Sequence, residues 1–240
     1  MSIYFLDEKN FESGAILLIN KNKGEYSFTA LKKVRYIIQK HTGIKKLKTG
    51  HAGTLDPMAT GLLIICTGKA TKKISEIQSL EKEYIAEIKL GETTPSLDAE
   101  TKVSETFSID HIKENDIINV LNNFKGKITQ LPPEYSALKI NGVRAYKKAR
   151  KGDKIEMKPR EVHIHNIELL ETNLPYIKIR VICSKGTYIR SLARDIGKEL
   201  NSGAYLTDLI RTRTGQYSIE NSVYTKNFEE KIINLLKRQY

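Results

Sequence analysis

The most distinctive stretch of the sequence is GHAGTLDPMATG, which occupies residues 50–61 and places an acid at Asp56. Three glycines and one proline within twelve residues disfavour both a regular helix and a regular strand. Pro57 biases Asp56 towards an extended backbone, so the stretch predicts a rigid loop that leads into a buried strand at Leu62. A carboxylate on such a loop is a candidate functional group. The alternative is that Asp56 is only a turn or helix-cap residue, and that His51 is an ordinary loop histidine rather than a base or phosphate contact.

On both sides of this loop, the spacing of apolar residues predicts strands and helices in a mixed order, which indicates an α+β protein. Strands are predicted at 15–20, 62–67, 84–90, 162–169 and 177–183. Helices are predicted at 27–43, 70–80, 109–124, 188–200, 204–211 and 228–236. Ser27 is expected to cap the first helix, and Asn141-Gly142 predicts a hairpin turn. Because no Pro/Gly/Ser-rich boundary divides the chain, we expect one domain over residues 1–240.

Length and composition narrow the class of protein. The chain has 240 residues, of which 40% are hydrophobic and 28% charged, values typical of a globular protein with its own core. Cys66 and Cys183 lie far apart in sequence, and such a pattern is typical of neither a disulfide framework nor a zinc site. The longest apolar runs, 15–19 and 62–66, are far shorter than a membrane span, and the first residues do not resemble a signal peptide. We expect a soluble, cytoplasmic protein without membrane contact.

The charge of the chain indicates a polyanionic partner. Forty Lys and Arg residues against 28 Asp and Glu residues give a net charge of +12. Residues 139–160 alone hold nine basic and two acidic residues, whereas a solvated helix face usually mixes the two signs. An A/T-rich genome also enriches lysine, so it is the clustering rather than the total that favours nucleic acid.

The stretch CSKGTYIRSL, residues 183–192, is a second candidate site. It passes from a predicted strand through a Lys-Gly turn into a helix, which suits an anion at the helix N-terminus, with Arg190 in the first turns. The alternative is a surface arginine paired with a nearby acid such as Asp195. Phosphate-binding glycine motifs are missing from the sequence, so we expect no nucleotide cofactor. His163 and His165 have no third ligand near them in sequence, so we expect no metal.

Several motifs in order resemble those of the TruB family of tRNA pseudouridine synthases. The resemblance runs over about residues 16–223 and is carried by the stretches 50–61, 82–84, 90–98, 132–139, 183–190 and 204–213. It implies the pseudouridine synthase fold, with a mixed, mainly antiparallel sheet flanked by helices. It also implies the activity of the family, which converts the uridine at position 55 in the T-loop of tRNA to pseudouridine without cofactor or metal.

The resemblance also implies roles for individual residues. Asp56 matches the catalytic aspartate, Arg190 its basic partner, and Tyr84 the aromatic residue that stacks on the target base. Further matches to substrate-binding positions are Lys21, His51, Tyr188 and Leu209. Residues 132–160, which we call the thumb, match an RNA-binding excursion whose candidate contacts are Lys139, Arg144, Lys147, Lys148, Arg150 and Lys151.

The chemistry accounts for these residue types but leaves the role of the acid open. The reaction breaks the N1–C1′ bond and joins C5 to C1′, and the carboxylate can attack C6 or C1′ or assist elimination at the sugar. A nearby guanidinium can pair with a carboxylate bidentately, and an aromatic face offsets the stacking that a flipped base loses. Lysine and arginine supply phosphate contacts.

Two departures and two competing functions remain. Asn22 follows Lys21 where the family usually has proline, and the chain ends at Tyr240, so we expect no C-terminal PUA domain.

A non-catalytic RNA-binding protein on this scaffold would need only the thumb. A nucleoside hydrolase would need a second carboxylate, for which Asp98 is the candidate. We expect a monomer that binds the T-arm stem-loop of tRNA.

Overall fold

The computed structural model describes residues 3–5, 10–136, 138–140, 142–145 and 156–237. The β-strands are β1 Ile3–Phe5, β2 Ala15–Lys21, β3 Thr49–His51, β4 Thr60–Thr67, β5 Lys82–Leu90, β6 Glu92–Thr93, β7 Glu105–Thr106, β8 Gly126–Gln130, β9 Lys139–Ile140, β10 Val143–Arg144, β11 Arg160–Asn173, β12 Tyr176–Cys183, β13 Ala204–Thr214, β14 Tyr217–Ser218 and β15 Val223–Tyr224. The α-helices are α1 Ser27–Thr42, α2 Ile74–Ser79, α3 Glu114–Asn123, α4 Ile189–Glu199 and α5 Phe228–Lys237. Short 3-10 turns occupy Gly68–Lys73, Ile219–Asn221 and Thr225–Asn227.

The chain forms two compact units, which share strands β5 and β13. The first unit combines Met1–Tyr84 with Ile210–Tyr240, and the second is Ile85–Leu209. Both contain β-sheet with helices packed against it, and most strand pairs are antiparallel. The parallel pairs β13–β4 and β15–β2 make the sheet mixed. The predicted α+β fold, with a mixed, mainly antiparallel sheet flanked by helices, is therefore confirmed.

The first unit has its core around β2 and β4, whose side chains are almost all buried. Its strand order is β1-β2-β4-β13, and β3 pairs with β4. Helix α1 covers this sheet because Ala30, Val34 and Ile38 recur at the spacing of one helix face and are fully buried. Helix α5 packs against α1, as its predicted amphipathic pattern requires, and buries Phe228.

The second unit is built on the strand order β13-β5-β12-β11-β8. The long pair β11–β12 is antiparallel, with Leu169 opposite Ile179. Helix α3 packs against β11 and buries Ile117 and Leu121. In the thumb, β9 and β10 pair with Val143 opposite Ile140, which confirms the predicted two-residue hairpin.

One predicted element is wrong. Residues 204–211 form the first part of strand β13, not a helix. Their apolar residues fit helical spacing, but β13 lies between β4 and β5 and has buried side chains on both faces, among them Leu206 and Leu209. A strand of this kind loses its strict alternation, so its sequence can imitate a helix. Two other helices are shorter than predicted, because 70–80 is divided between a 3-10 turn and α2, and 109–124 narrows to α3.

Candidate active site

The predicted rigid loop is present between β3 and β4 and carries Asp56, whose side chain is half-buried. At the start of the loop, the Ala52 amide donates to the Ile64 carbonyl at 2.8 Å. At its end, the Ala59 amide donates to the Asp56 carbonyl at 3.1 Å and closes a turn. The backbone on both sides of the carboxylate is therefore fixed by hydrogen bonds within the first unit.

Ser27 holds the residue before Asp56. Its hydroxyl donates to the Leu55 carbonyl and accepts from the Leu55 amide, each at 2.9 Å. The prediction that Ser27 caps α1 is wrong, because Tyr26 is the N-cap and the buried Ser27 hydroxyl is used on the loop instead. The start of α1 and the Asp56 loop are thus tied together.

Lys21 holds the residue after Asp56. Its buried ammonium donates to the carbonyls of Pro57 at 3.3 Å, Asn22 at 2.9 Å and Glu25 at 2.7 Å. The Gly24 amide donates to the same Pro57 carbonyl at 2.8 Å. Burial lowers the pKa of Lys21 to about 8, although the Glu25 and Asp56 carboxylates favour its charged form. Asn22, the residue after Lys21, contributes one of these three carbonyls.

Arg211 on β13 connects the two ends of the loop. Its Nε donates to the Leu62 carbonyl at 2.8 Å and its Nη2 to the Gly53 carbonyl at 3.0 Å. The side chain is 2% exposed. Gly61 lies beside Arg211 in the β4–β13 pair with φ of 101°, and a Cβ there would overlap the Arg211 carbonyl oxygen. The close approach of β13 to the loop therefore depends on this glycine.

His51 lies on β3 at the entrance to the loop and is half-buried. Burial and the nearby Arg211 guanidinium lower the pKa of His51, so the imidazole is neutral at pH 7. Its buried Nδ1 has no hydrogen-bond partner among the described residues. A neutral imidazole favours a hydrogen bond to an RNA group over an ionic phosphate contact.

Tyr84, the predicted stacking residue, lies half-buried on β5 in the first unit. The neighbouring Glu83 is held by Thr212, whose hydroxyl donates to the Glu83 carboxylate at 2.7 Å and to its carbonyl at 3.3 Å. Lys21, His51, Asp56 and Tyr84 thus all belong to the first unit.

The second unit fixes Arg190, which is 4% exposed in the first turn of α4. Its guanidinium donates to the carbonyls of Ser96 at 3.0 Å and Tyr135 at 2.9 Å, and it forms an ion pair of 3.3 Å with Asp98. The alternative interpretation of a surface arginine paired with Asp195 is wrong, because Asp195 pairs with Arg194. Arg190 is therefore presented in one direction by buried partners.

Gln130 positions the residue at the start of α4. Its buried amide group accepts from the Tyr188 amide at 2.8 Å and donates to the Tyr188 carbonyl at 3.1 Å. The guanidinium carbon of Arg160 lies 4.4 Å from the centre of the Tyr188 ring, a cation–π contact. Leu209, the remaining predicted pocket residue of this unit, is buried on β13.

The predicted RNA contacts of the thumb are only partly described. The backbone of Lys139 pairs with that of Arg144 in the β9–β10 register. The other candidates lie outside the described residues: Lys147, Lys148, Arg150 and Lys151.

The sequence analysis identified the residues that are proposed to act in the site. It did not identify the residues whose hydrogen bonds fix the backbone around them. Arg211 had no assigned role because its strand was taken for a helix, and Gln130 lies in no special pattern. The available signal for Arg211 was its place in the stretch 204–213, one of the stretches that carry the family resemblance.

The described part of the chain contains neither a cluster of metal ligands nor a membrane-spanning helix. There, no group of three or more His, Cys, Asp or Glu side chains is arranged to hold a metal ion. The rings of His163 and His165 lie 4.5 Å apart in an edge contact. Within the same residues, no helix is long and apolar enough to cross a bilayer.

The chain is similar to known proteins over most of its length. The sequence profile described as "TruB family pseudouridylate synthase (N terminal domain)" matches residues 39–189. The chain is 53% identical over 221 residues to tRNA pseudouridine synthase B of Phocaeicola vulgatus, covering 92% of this chain and 94% of that protein. It is 49% identical over 225 residues to the protein of the same name in Flavobacterium johnsoniae, covering 93% and 98%.

The fold is similar to that of chains in two solved complexes. The chain matches a chain in the crystal structure of a Cbf5-Nop10-Gar1 complex with a TM-score of 0.71 and 27% identity, over 96% of this chain and 57% of that one. It matches a chain of an H/ACA RNP bound to a substrate RNA containing 2'-deoxyuridine with a TM-score of 0.66 and 25% identity, over 94% and 55%. This chain therefore spans little more than half of those two.

Proposed function

The chain belongs to the TruB family of pseudouridylate synthases, and we propose that it converts the uridine at position 55 in the T-loop of tRNA to pseudouridine. Its relatives over almost their whole length are named tRNA pseudouridine synthase B. The observation that carries the proposal is the loop of Asp56, with hydrogen bonds from Ser27, Lys21 and Arg211 to backbone on both sides of the acid.

The proposed reaction is an isomerisation in which Asp56 is the nucleophile. The N1–C1′ bond of uridine breaks, the uracil turns over, and a C5–C1′ bond forms while the C5 proton is transferred to N1. No atom or electron is gained or lost, so the balance requires no redox cofactor. Attack at C6, attack at C1′ and assistance to elimination all use a carboxylate held in a fixed direction.

The residue types proposed for the site suit a flipped nucleotide. A base taken out of the RNA stack loses stacking energy, which an aromatic face such as that of Tyr84 restores. From the family resemblance, Lys21, Tyr188 and Leu209 are further proposed substrate-binding residues, and His51 is proposed to make a neutral contact with the RNA. The low pKa of His51 supports this assignment.

Arg190 is the proposed basic partner of Asp56. A guanidinium favours the ionised form of a nearby carboxylate and orients it through hydrogen bonds. The buried contacts of Arg190 with Asp98, Ser96 and Tyr135 keep its side chain from adopting other rotamers. These contacts also weigh against a hydrolase in which Asp98 is a second catalytic acid, because Asp98 is 1% exposed.

The thumb, residues 132–160, is the proposed RNA-binding excursion of this catalytic domain. Phosphate contacts from its basic residues would supply affinity and register. The candidate contacts are Lys139, Arg144, Lys147, Lys148, Arg150 and Lys151. We also propose that the enzyme acts in the cytoplasm and works as a monomer.

Incubation with a T-arm stem-loop RNA, followed by mass spectrometry after pseudouridine-specific derivatisation, tests the function. We expect one derivatised nucleotide, at the position of uridine 55, and no free uracil. Release of uracil would indicate a hydrolase. Tight binding with unmodified RNA would indicate a binding protein without catalysis. Either result would overturn the proposal.

A further inference from the structure

Helix α1 and the residues directly after it carry an excess of positive charge outside the thumb. Residues 26–46 contain no Asp or Glu but have six basic residues: Lys32, Lys33, Arg35, Lys40, Lys45 and Lys46. A solvated helix face normally mixes charges, because like charges on neighbouring turns repel. Repulsion among these charges therefore destabilises the folded protein, and a bound polyanion would relieve it.

The charges in the middle of α1 are available to such a partner. Lys32, Lys33 and Arg35 are exposed, and none of them forms an ion pair within the described part of the chain. Lys40 differs, since it pairs with Glu229 at 2.8 Å. The nearest preceding acid, Glu25, is half-buried, and its carboxylate interacts with Lys21.

Two aromatic side chains share this part of the helix. Phe28 is 58% exposed and Tyr36 is 66% exposed. The Lys32 ammonium lies 4.8 Å from the centre of the Phe28 ring. Cations interleaved with exposed aromatic rings are typical of RNA-binding surfaces, because rings stack on unpaired bases while cations contact phosphates. We call Phe28, Lys32, Lys33, Arg35 and Tyr36 the α1 face.

The α1 face begins beside the catalytic loop. Ser27, the first residue of α1, holds Leu55 through both of its hydrogen bonds, one residue before Asp56. From there the helix runs for 16 residues, a length of about 24 Å at ~1.5 Å per residue. RNA that places a nucleotide at Asp56 has further phosphates within this distance.

We propose that the α1 face is a second RNA-backbone contact surface, which binds the substrate RNA beyond the flipped nucleotide. The identity of that RNA as tRNA rests on the proposed function. Charge complementarity and continuity with the Asp56 loop favour RNA over an anionic membrane. A membrane-surface helix needs a broad apolar face for lipid, whereas the apolar face of α1 is buried in the core through Ala30, Val34 and Ile38.

The test compares two triple variants of the full chain with equal loss of charge. One is Lys32→Gln, Lys33→Gln and Arg35→Gln. The control is Lys102→Gln, Lys125→Gln and Lys198→Gln, three exposed lysines of the second unit. Dissociation constants for an unmodified tRNA transcript are measured by fluorescence anisotropy at several KCl concentrations, with thermal unfolding as a check on folding.

We expect the α1 triple variant to bind tRNA about tenfold or more weakly and its salt slope to fall by ~2–3 units, at ~0.7–0.9 per phosphate contact. The control variant should bind within about twofold of the wild type. Equal affinities for the two variants would overturn the proposal, because net charge alone would then explain binding. Cosedimentation of the wild type and the α1 triple variant with phosphatidylserine vesicles is measured in parallel. If the variant retained tRNA binding but lost the vesicle binding of the wild type, the proposal would also be overturned, in favour of a membrane.

These measurements do not depend on catalysis. If the wild-type protein formed no pseudouridine but the α1 variant still lost tRNA affinity, the proposed function would fail and the α1 surface would stand. If pseudouridine formed and the α1 variant bound normally, only the α1 surface would fail.

Discussion

The Arg190 guanidinium and the Asp98 carboxylate form a buried ion pair, with 3.3 Å between Nη1 and Oδ2. Asp98 is itself oriented, because the Ser96 hydroxyl and the Glu100 amide donate to its Oδ1 at 2.6 and 3.0 Å. Two motifs that lie about 90 residues apart in sequence thus meet in one network. The position of Arg190 is set by these contacts before any RNA arrives.

Removal of Asp98 should destabilise the protein strongly. Asp98→Ala leaves the Arg190 guanidinium buried with fewer partners, and breaking a buried pair from one side costs about 3–5 kcal/mol. Urea denaturation of the full chain measures the change in the free energy of unfolding. Asp110→Ala, a change at an exposed acid, is the control and should cost well under 1 kcal/mol. A cost for Asp98→Ala as small as that of the control would contradict the network.

Asp56→Asn should abolish isomerisation and preserve folding and tRNA binding. The amide keeps the size of the side chain, and the loop is held by backbone contacts that the substitution does not touch. It cannot act as an anionic nucleophile. Single-turnover kinetics with excess enzyme measures the effect, with Asp110→Asn as the matched control. Activity within about tenfold of wild type, or ~1.4 kcal/mol in the barrier, would exclude Asp56 as the nucleophile.

How far the sequence predicts the site depends on the kind of residue. The loop around Asp56 could be predicted because glycine and proline restrict the backbone locally, and the structure contains it. Ser27 could not be placed correctly, because a serine at a helix start satisfies the rules for a cap whether or not a loop more than 25 residues away takes its hydroxyl. Local patterns predict local geometry, and partners distant in sequence are decided by packing.

Strand β13 illustrates the same limit for the fold. Its apolar spacing allows a helix or a buried strand, and only the neighbouring strands β4 and β5 decide between them. Arg211, at the end of the predicted helix, had no assigned role, and the structure shows that it donates to the Leu62 and Gly53 carbonyls. A buried arginine is costly unless all its donors find acceptors, so it marks a position where the surrounding backbone is fixed.

The contact between α1 and α5 should depend on pH through Glu229. Hydrogen bonds from Lys40 and His41 lower the pKa of Glu229 to about 2 from an ordinary value of 4.5. Since the folded state favours the ionised form, this stabilisation is complete above pH 4.5 and is lost as the pH falls through about 2. Glu229→Gln should therefore unfold at a lower temperature than wild type at pH 7, with the difference shrinking towards pH 2.

Glu230 provides the matched control on the same helix, because it is exposed. Thermal unfolding of Glu230→Gln should follow the wild type across the same pH range. A pH-independent difference for Glu229→Gln would show that the ion pair with Lys40 and His41 does not contribute to stability.

Arg211 should act as a positioning residue for Asp56. Arg211→Lys retains the charge but cannot reach both carbonyls, and an unsatisfied buried acceptor costs about 1–3 kcal/mol of stability. Since Gly53 and Leu62 flank the acid, we expect kcat to fall and KM to change little. A rise in KM without a change in kcat would instead indicate that Arg211 contributes to RNA binding.

A second measurement isolates the charge of Arg211 from its hydrogen bonds. Burial first, and the Arg211 guanidinium second, lower the pKa of His51. Arg211→Met removes the cation, so the pKa of His51 should rise towards its ordinary value, whereas Arg211→Lys should leave it low. NMR titration of the His51 imidazole in the two variants measures this difference, and stability should correspondingly fall less below pH 6.5 in Arg211→Met. Equal titrations in both variants would mean that burial alone sets the state of His51 and that Arg211 serves the loop only through its contacts with Gly53 and Leu62.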